Sequence, residues 1–165
     1  LSNLSLKEVA HSNLKELTKL YLTKEDVIHS ANEAKTRLIV IDEVLKVLGW
    51  QSNEFNPETH TSTNGYVDYL LKYNNSPKLV IEAKKIGLTF FTPTNKSLTN
   101  HEYTVSYFKQ AFKSHLTETI KQASSYCYDC GVVHAVITNG AEWMVFQLIP
   151  RPGKTVDSMK GVYFG

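Results

Sequence analysis

The chain has 165 residues, 42% of them hydrophobic and 21% charged, which is enough for one domain with a real core. A net charge of +2 is too mild to argue for nucleic acid by itself, and of the 18 basic residues only Arg37 and Arg151 are arginine, so readout by arginine clusters is not prominent. No apolar run approaches the ~18 residues a membrane span needs, and the N-terminus has no apolar signal core.

In chain order, the spacing of Leu6, Val9, Ala10, Leu14, Leu17 and Leu20 predicts a helix over residues 5–21 with Ser5 as its cap. Thr23 is read as the cap of a second helix over 24–48, with Leu38, Ile41, Leu45 and Leu48 as its apolar stripe and Gly49 as its stop. Residues 51–64 are polar and read as loop. Two strand-like segments follow, Gly65-Tyr-Val-Asp-Tyr-Leu-Leu71 and Lys78-Leu-Val-Ile-Glu-Ala-Lys-Lys85, separated by the turn signal Tyr73-Asn-Asn-Ser-Pro77; together they predict a hairpin over 65–86. Residues 87–104, rich in Thr, Asn and Pro, read as a long loop with a short strand at Thr89-Phe90-Phe91. A helix near 113–127, a strand over 132–137, an Asn139-Gly140 turn and a return strand over 143–148 complete the pattern, and Pro150 and Pro152 end it. The tail 153–165 has no assignment. The expected class is α/β in the order α-α-β-β-α-β-β, with helices around a central mixed sheet.

The hairpin carries the most unusual chemistry. If Lys72 faces Lys78, paired numbers sum to 150, and Asp68 then faces Glu82, Tyr66 faces Lys84 and Leu70 faces Val80 on one face. The other face holds Val67, Tyr69, Leu71, Leu79, Ile81 and Ala83, nearly all apolar. Directly opposed carboxylates repel unless a cation or a shared proton lies between them. A hard divalent ion fits, since Mg²⁺ takes one or two carboxylates and keeps waters for a phosphate. The backbone carbonyl of Ala83 could add a ligand, and Lys84 would sit beside the ion. The plain alternative is an exposed sheet face on which Lys84 and Lys85 are ordinary solvated charges.

Asp68 followed by Glu82-Ala83-Lys84 resembles the D…(D/E)-x-K core of the PD-(D/E)xK nuclease superfamily. The wider set Gly65–Leu71, Pro77–Lys85, Gln122-Ala-Ser-Ser-Tyr126 and Thr138-Asn-Gly-Ala-Glu-Trp143, with Glu33-Ala-Lys-Thr-Arg37 before it, resembles the N-terminal nuclease domain of type I restriction enzyme R subunits and related type IV-like restriction nucleases. The likeness runs from about 24 to 149, within a single nuclease domain of 1–165. It implies a restriction-endonuclease-like fold and Mg²⁺-dependent cleavage of DNA, with Mn²⁺ as a substitute. On that resemblance Asp68 and Glu82 are metal ligands, with the Ala83 carbonyl, and Lys84 is the catalytic lysine. Glu33 assists the metal directly or through water, and Gln122 supports the site. Gln122, Tyr126 and Lys85 contact DNA. It also implies partners, namely a translocase and the specificity and methylation subunits of a restriction system. No Walker-type G-x-x-x-x-G-K-[ST] occurs in the chain, so a motor would lie outside it. Val67 stands where the family name has Pro, and the connection 87–112 is longer than the family's short one.

The remaining features have bland readings beside the functional ones. Glu33 and Arg37 share a helix face, where an intrahelical ion pair is the simple account, and Gln122 and Tyr126 share another as a surface amide and a core aromatic. Cys127-Tyr-Asp-Cys130 reads best as two half-buried thiols at a helix end rather than a redox pair or half a zinc site, and His134 as structural. His60, His101 and His115 show no partner pattern. Lys96, Lys109, Lys113 and Lys121, interleaved with Tyr103, Tyr107 and Phe108, suit either a backbone-tracking surface or a solvated helix face. Trp143 is most simply core. With two cysteines and no secretory signal, a reducing cytosol is the expected compartment. The start at Leu1 and the end after Val162-Tyr163-Phe164 suit an excised piece of a longer protein, and equally a processed chain. A binding module on the same fold with little or no cleavage, or a structural domain of a larger machine, are the competing functional readings.

Overall fold

Ser5 starts the first helix with a reciprocal cap. Its hydroxyl accepts from the Glu8 amide at 3.3 Å, and the Glu8 carboxylate accepts from the Ser5 amide at 2.7 Å. The computed structural model describes residues 5–24, 26, 30–61, 65–90 and 98–165. Helix α1, Leu6–Leu22, has no buried residue, and its Tyr21 hydroxyl donates to the Ile39 carbonyl at 2.5 Å. Thr23 closes this helix instead of opening the next one, its amide donating to the Lys19 carbonyl. The next cap is Asn32, whose side chain accepts from the Lys35 amide at 2.8 Å. Part of the expected start of the second helix, residues 25 and 27–29, lies outside the described residues.

Helix α2 runs through Glu33–Thr36, a π-helical turn Arg37–Ile41, and Asp42–Val47. The widened turn breaks the 3.6-residue phase, so the predicted stripe fails at both ends. Leu38 and Leu48 are 66% and 51% exposed, while Val40, Ile41 and Leu45 are buried. Paired bonds from the Gly49 amide to Lys46 and from the Trp50 amide to Leu45 end the helix where expected.

Among the described residues seven strands form one mixed sheet: β1 Phe55–Thr61, β2 Gly65–Tyr73, β3 Ser76–Ala83, β4 Glu102–Thr104, β5 His134–Thr138, β6 Trp143–Gln147 and β7 Lys160–Phe164, in the order β1-β2-β3-β5-β6-β7-β4. Among the strands of the described residues β3 and β5 are the one parallel pair, and the chain crosses between them through α3, Val105–Ala111, and α4, His115–Cys130. The expected register holds for Tyr69↔Ile81, Leu70↔Val80 and Leu71↔Leu79. It slips at a bulge before Lys72, which faces Pro77 and not Lys78. Asn74 and Asn75, with φ of 50° and 59°, make the two-residue turn.

Helices α3 and α4 pack one face of the sheet around Val80, Ala135, Ile137 and Phe146, and α2 packs the other around Tyr69, Leu71, Ile81 and Val136. Both faces of the hairpin are therefore covered at its centre. Leu70 and Val80, expected on an open polar face, are buried, and the polar cluster is confined to the Asp68–Glu82 end.

The order is longer than predicted. β1 occupies residues expected as loop, because a polar edge strand that carries Pro57, tolerated at a sheet edge, leaves no strand pattern in the sequence. β4 and α3 occupy part of the expected long loop. Thr89 and Phe90 form no strand; Phe90 is instead fully buried, and Phe91 lies outside the described residues. β7 fills the unassigned tail. Its Gly161 weakens the strand signal, yet a Cβ there would come within 2.3 Å of the Phe146 ring.

Candidate active site

The ladder between β2 and β3 ends at Tyr69↔Ile81. Beyond it β2 continues against β1, while Glu82 and Ala83 stay with β5 opposite Ile137 and Thr138. Asp68 fills the gap between the parting strands. Its Oδ2 accepts from the Ala83 amide at 2.8 Å, in place of a backbone partner. Glu82, next to that amide, is only 1% exposed, and its Oε1 accepts from Lys84 Nζ at 2.5 Å. Burial, then the charge of Asp68, push the Glu82 carboxyl up to about 7 against the opposing pull of Lys84. Burial works against the Lys84 charge, but Glu82, Glu33 and Asp68 outweigh it, so the lysine is held above its usual range as an ammonium.

Glu33, at the first position of α2, is thus within electrostatic reach of both Glu82 and Lys84. Arg37 does not make the intrahelical pair with Glu33. Its guanidinium donates to Asp68 Oδ1 and, at 2.8 Å, to Glu58 Oε1. The two acids outweigh the cost of its burial and raise its pKa. Glu58 lies on β1 between Pro57↔Tyr69 and Thr59↔Val67, hence across from Asp68, and has φ 54°, uncommon for a residue other than glycine. Neither Glu58 nor the role of Arg37 was found in the sequence. The available signal was the scarcity of arginine.

The site is braced from behind. The Thr36 hydroxyl, itself donating to the Asn32 carbonyl, accepts from the Ile86 amide at 3.1 Å and ties α2 to the chain leaving β3. The Lys84 amide donates to the Thr138 carbonyl at 2.8 Å. Glu142, after the Asn139-Gly140 turn, is buried. Its Oε2 accepts from Thr89 Oγ1, the Phe90 amide and Asn139 Nδ2 at 2.8, 2.9 and 2.7 Å.

Gln122 and Tyr126 lie on α4, the helix packed over β3 and β5; Tyr126 is 4% exposed, and exposed Gln122 donates to its hydroxyl at 3.0 Å. Lys85 is exposed beside the site. Among the described residues no group of three or more His, Cys, Asp or Glu side chains is gathered for a metal ion. The set that is gathered, two carboxylates beside the Ala83 backbone with Glu33 behind, fits Mg²⁺, which needs one or two carboxylates, and not a tetrahedral zinc centre. Cys127 is buried and Cys130 half-buried, both free; burial pushes the Cys127 thiol up to about 12, so it is inert. Lys109 and Lys121 are spent on Asp157 and Glu118, and Lys96 lies outside the described residues. Trp143 is half-buried against the α2 core and donates to the Gly140 carbonyl at 3.1 Å.

No protein-family model, curated protein or solved structure significantly matches the chain. No helix among the described residues is long and apolar enough to cross a membrane.

Proposed function

We propose that the chain is a Mg²⁺-dependent DNA endonuclease domain of the restriction type, in the manner of the PD-(D/E)xK nucleases. The observation that carries this reading is the parting of β2 and β3, which sets the Asp68 carboxylate on the Ala83 amide, beside buried Glu82 and its partner Lys84. A divalent ion supplies charge neutralisation at a phosphate and an acidified water. Asp68 and Glu82 would hold it, with the Ala83 carbonyl and Glu33 nearby. Lys84, kept as an ammonium, donates a hydrogen bond and positive charge toward the oxygens on which charge grows in the transition state. Gln122 and Lys85, both exposed, are the DNA-backbone contacts in this reading, whereas Tyr126, expected as a third, is buried and acts through the hydroxyl that accepts from Gln122. Translocase and specificity subunits of a restriction system are the partners this reading entails.

A second reading is a nucleic-acid-binding module on the same fold with little or no cleavage. It draws on the fact that Asp68 and Glu82 already have cations of their own chain, Arg37 and Lys84, as in a structural ion-pair network. Supercoiled plasmid with Mg²⁺ or Mn²⁺ separates the two. Nicking by the wild type that is lost in Asp68→Ala and Lys84→Ala supports the nuclease. A gel shift without nicking at protein excess supports the binding module and overturns the first reading.

A further inference from the structure

Asp68 has both oxygens engaged by its own chain: Arg37 donates to Oδ1, and the Ala83 amide donates to Oδ2 at 2.8 Å. Arg37 also reaches a second acid, and the two differ in setting. The Asp68 side chain is 14% exposed and that of Glu58 is 66% exposed. Glu58 is held there at a positive φ, a conformation that costs energy in any residue with a Cβ and persists only where the surroundings impose it. A guanidinium and a divalent cation on one carboxylate repel each other. Glu58 offers the guanidinium a seat it keeps when Asp68 is taken, so Arg37 is not left without a partner.

We infer that Arg37 competes with a divalent cation for Asp68, and that Glu58 receives Arg37 when the cation binds; together they set the cation concentration at which the site fills. The inference rests on the metal-dependent reading above and assigns its regulation to two residues outside the ligand set. Two opposite shifts follow. Arg37→Gln removes the competitor and tightens cation binding. Glu58→Gln removes the alternative seat, returns the guanidinium wholly to Asp68 and weakens it. General damage to the fold would weaken binding in both variants.

The test is Mn²⁺ binding by calorimetry and by the paramagnetic resonance of free Mn²⁺, on wild type, Arg37→Gln, Glu58→Gln and, as a site control, Glu82→Gln. The expected result is a dissociation constant lowered by about tenfold or more in Arg37→Gln and raised several-fold in Glu58→Gln, within the usual range of couplings between neighbouring sites. Uptake that the Glu82→Gln control abolishes, but that is equal or weaker in Arg37→Gln, overturns the role of Arg37 while leaving the metal site standing. No uptake in wild type and Arg37→Gln alike, or uptake unchanged in Glu82→Gln, overturns the metal site and this inference with it.

Discussion

Replacing Glu82 by Gln tests whether the acid pair is held at a cost to the fold. The carboxyl rises from 4.5 to about 7 in the folded protein, chiefly through burial. The folded state therefore keeps its proton over a range in which the unfolded chain has given it up. Below about pH 4.5 both states are protonated and Glu82 costs nothing. Stability then falls as pH rises, and above about pH 7 the full penalty stands. At about 1.36 kcal/mol for each unit, the shift of about 2.5 units amounts to roughly 3 kcal/mol. The pull of Lys84 is already inside that figure, because it lowers the same value. Gln holds the neutral form at every pH and can still accept from Lys84. Urea unfolding with chelator present, from pH 4.5 to 8, reads the difference directly. Glu82→Gln should match the wild type at the acid end and be more stable by about 3 kcal/mol at pH 8. A difference that does not change with pH, or a wild type that is the more stable at pH 8, refutes the account. Adding Mg²⁺ at pH 8 should stabilise the wild type and not the variant.

Asp68→Ala removes the acceptor for the Ala83 amide as well as one partner of Arg37, whereas Asp68→Asn retains an acceptor; urea unfolding should place Ala below Asn by about 1–3 kcal/mol, and under the proposed nuclease function both variants should lose plasmid nicking. Gly140 has φ +89°, and a Cβ there would lie 2.9 Å from Val40 Cγ1, so Gly140→Ala should cost about 2–4 kcal/mol. Gly153→Ala, at φ +78° with nothing within 4 Å, should cost only the backbone part, about 1 kcal/mol, and equal losses would refute the packing argument. Glu142→Ala leaves the Phe90 amide without its acceptor and Asn139 Nδ2 with the Leu88 carbonyl alone, and should cost about 2–5 kcal/mol and speed hydrogen exchange at Phe90, measured by NMR.

Much of the hairpin was legible in the sequence because period-two alternation and a dense Asn-Asn turn specify register locally. The sum of 150 holds at three pairs; it fails at the bulge before Lys72, and the expected pairs Asp68 with Glu82 and Tyr66 with Lys84 do not form because the ladder stops at Tyr69↔Ile81 and Tyr66 pairs with His60 instead. Ser5 and Gly49 were legible for the same reason, since a cap involves residues three to five apart. The elements that were missed depend on partners far along the chain. β1 and β7 have weak strand patterns and are strands because β2 and β6 pair with them. The apolar stripe of α2 failed because a π-helical turn gives no signal in apolar spacing.

The family resemblance supplied Glu33 and Gln122 as site candidates; what the sequence by itself singled out was two acids and a lysine, Asp68, Glu82 and Lys84, in apolar strands. Those residue types stand out because burying them is costly without partners. Which charges meet was decided only in three dimensions. β2 and β3 part beyond the Tyr69↔Ile81 pair, on the Asp68 side, and the turn of α2 brings Arg37 onto Asp68, 31 positions away, with Glu58 as its second partner. An ion pair leaves no periodic trace along a chain. It exists because packing on both faces of the sheet brings the two charges together where solvent is scarce.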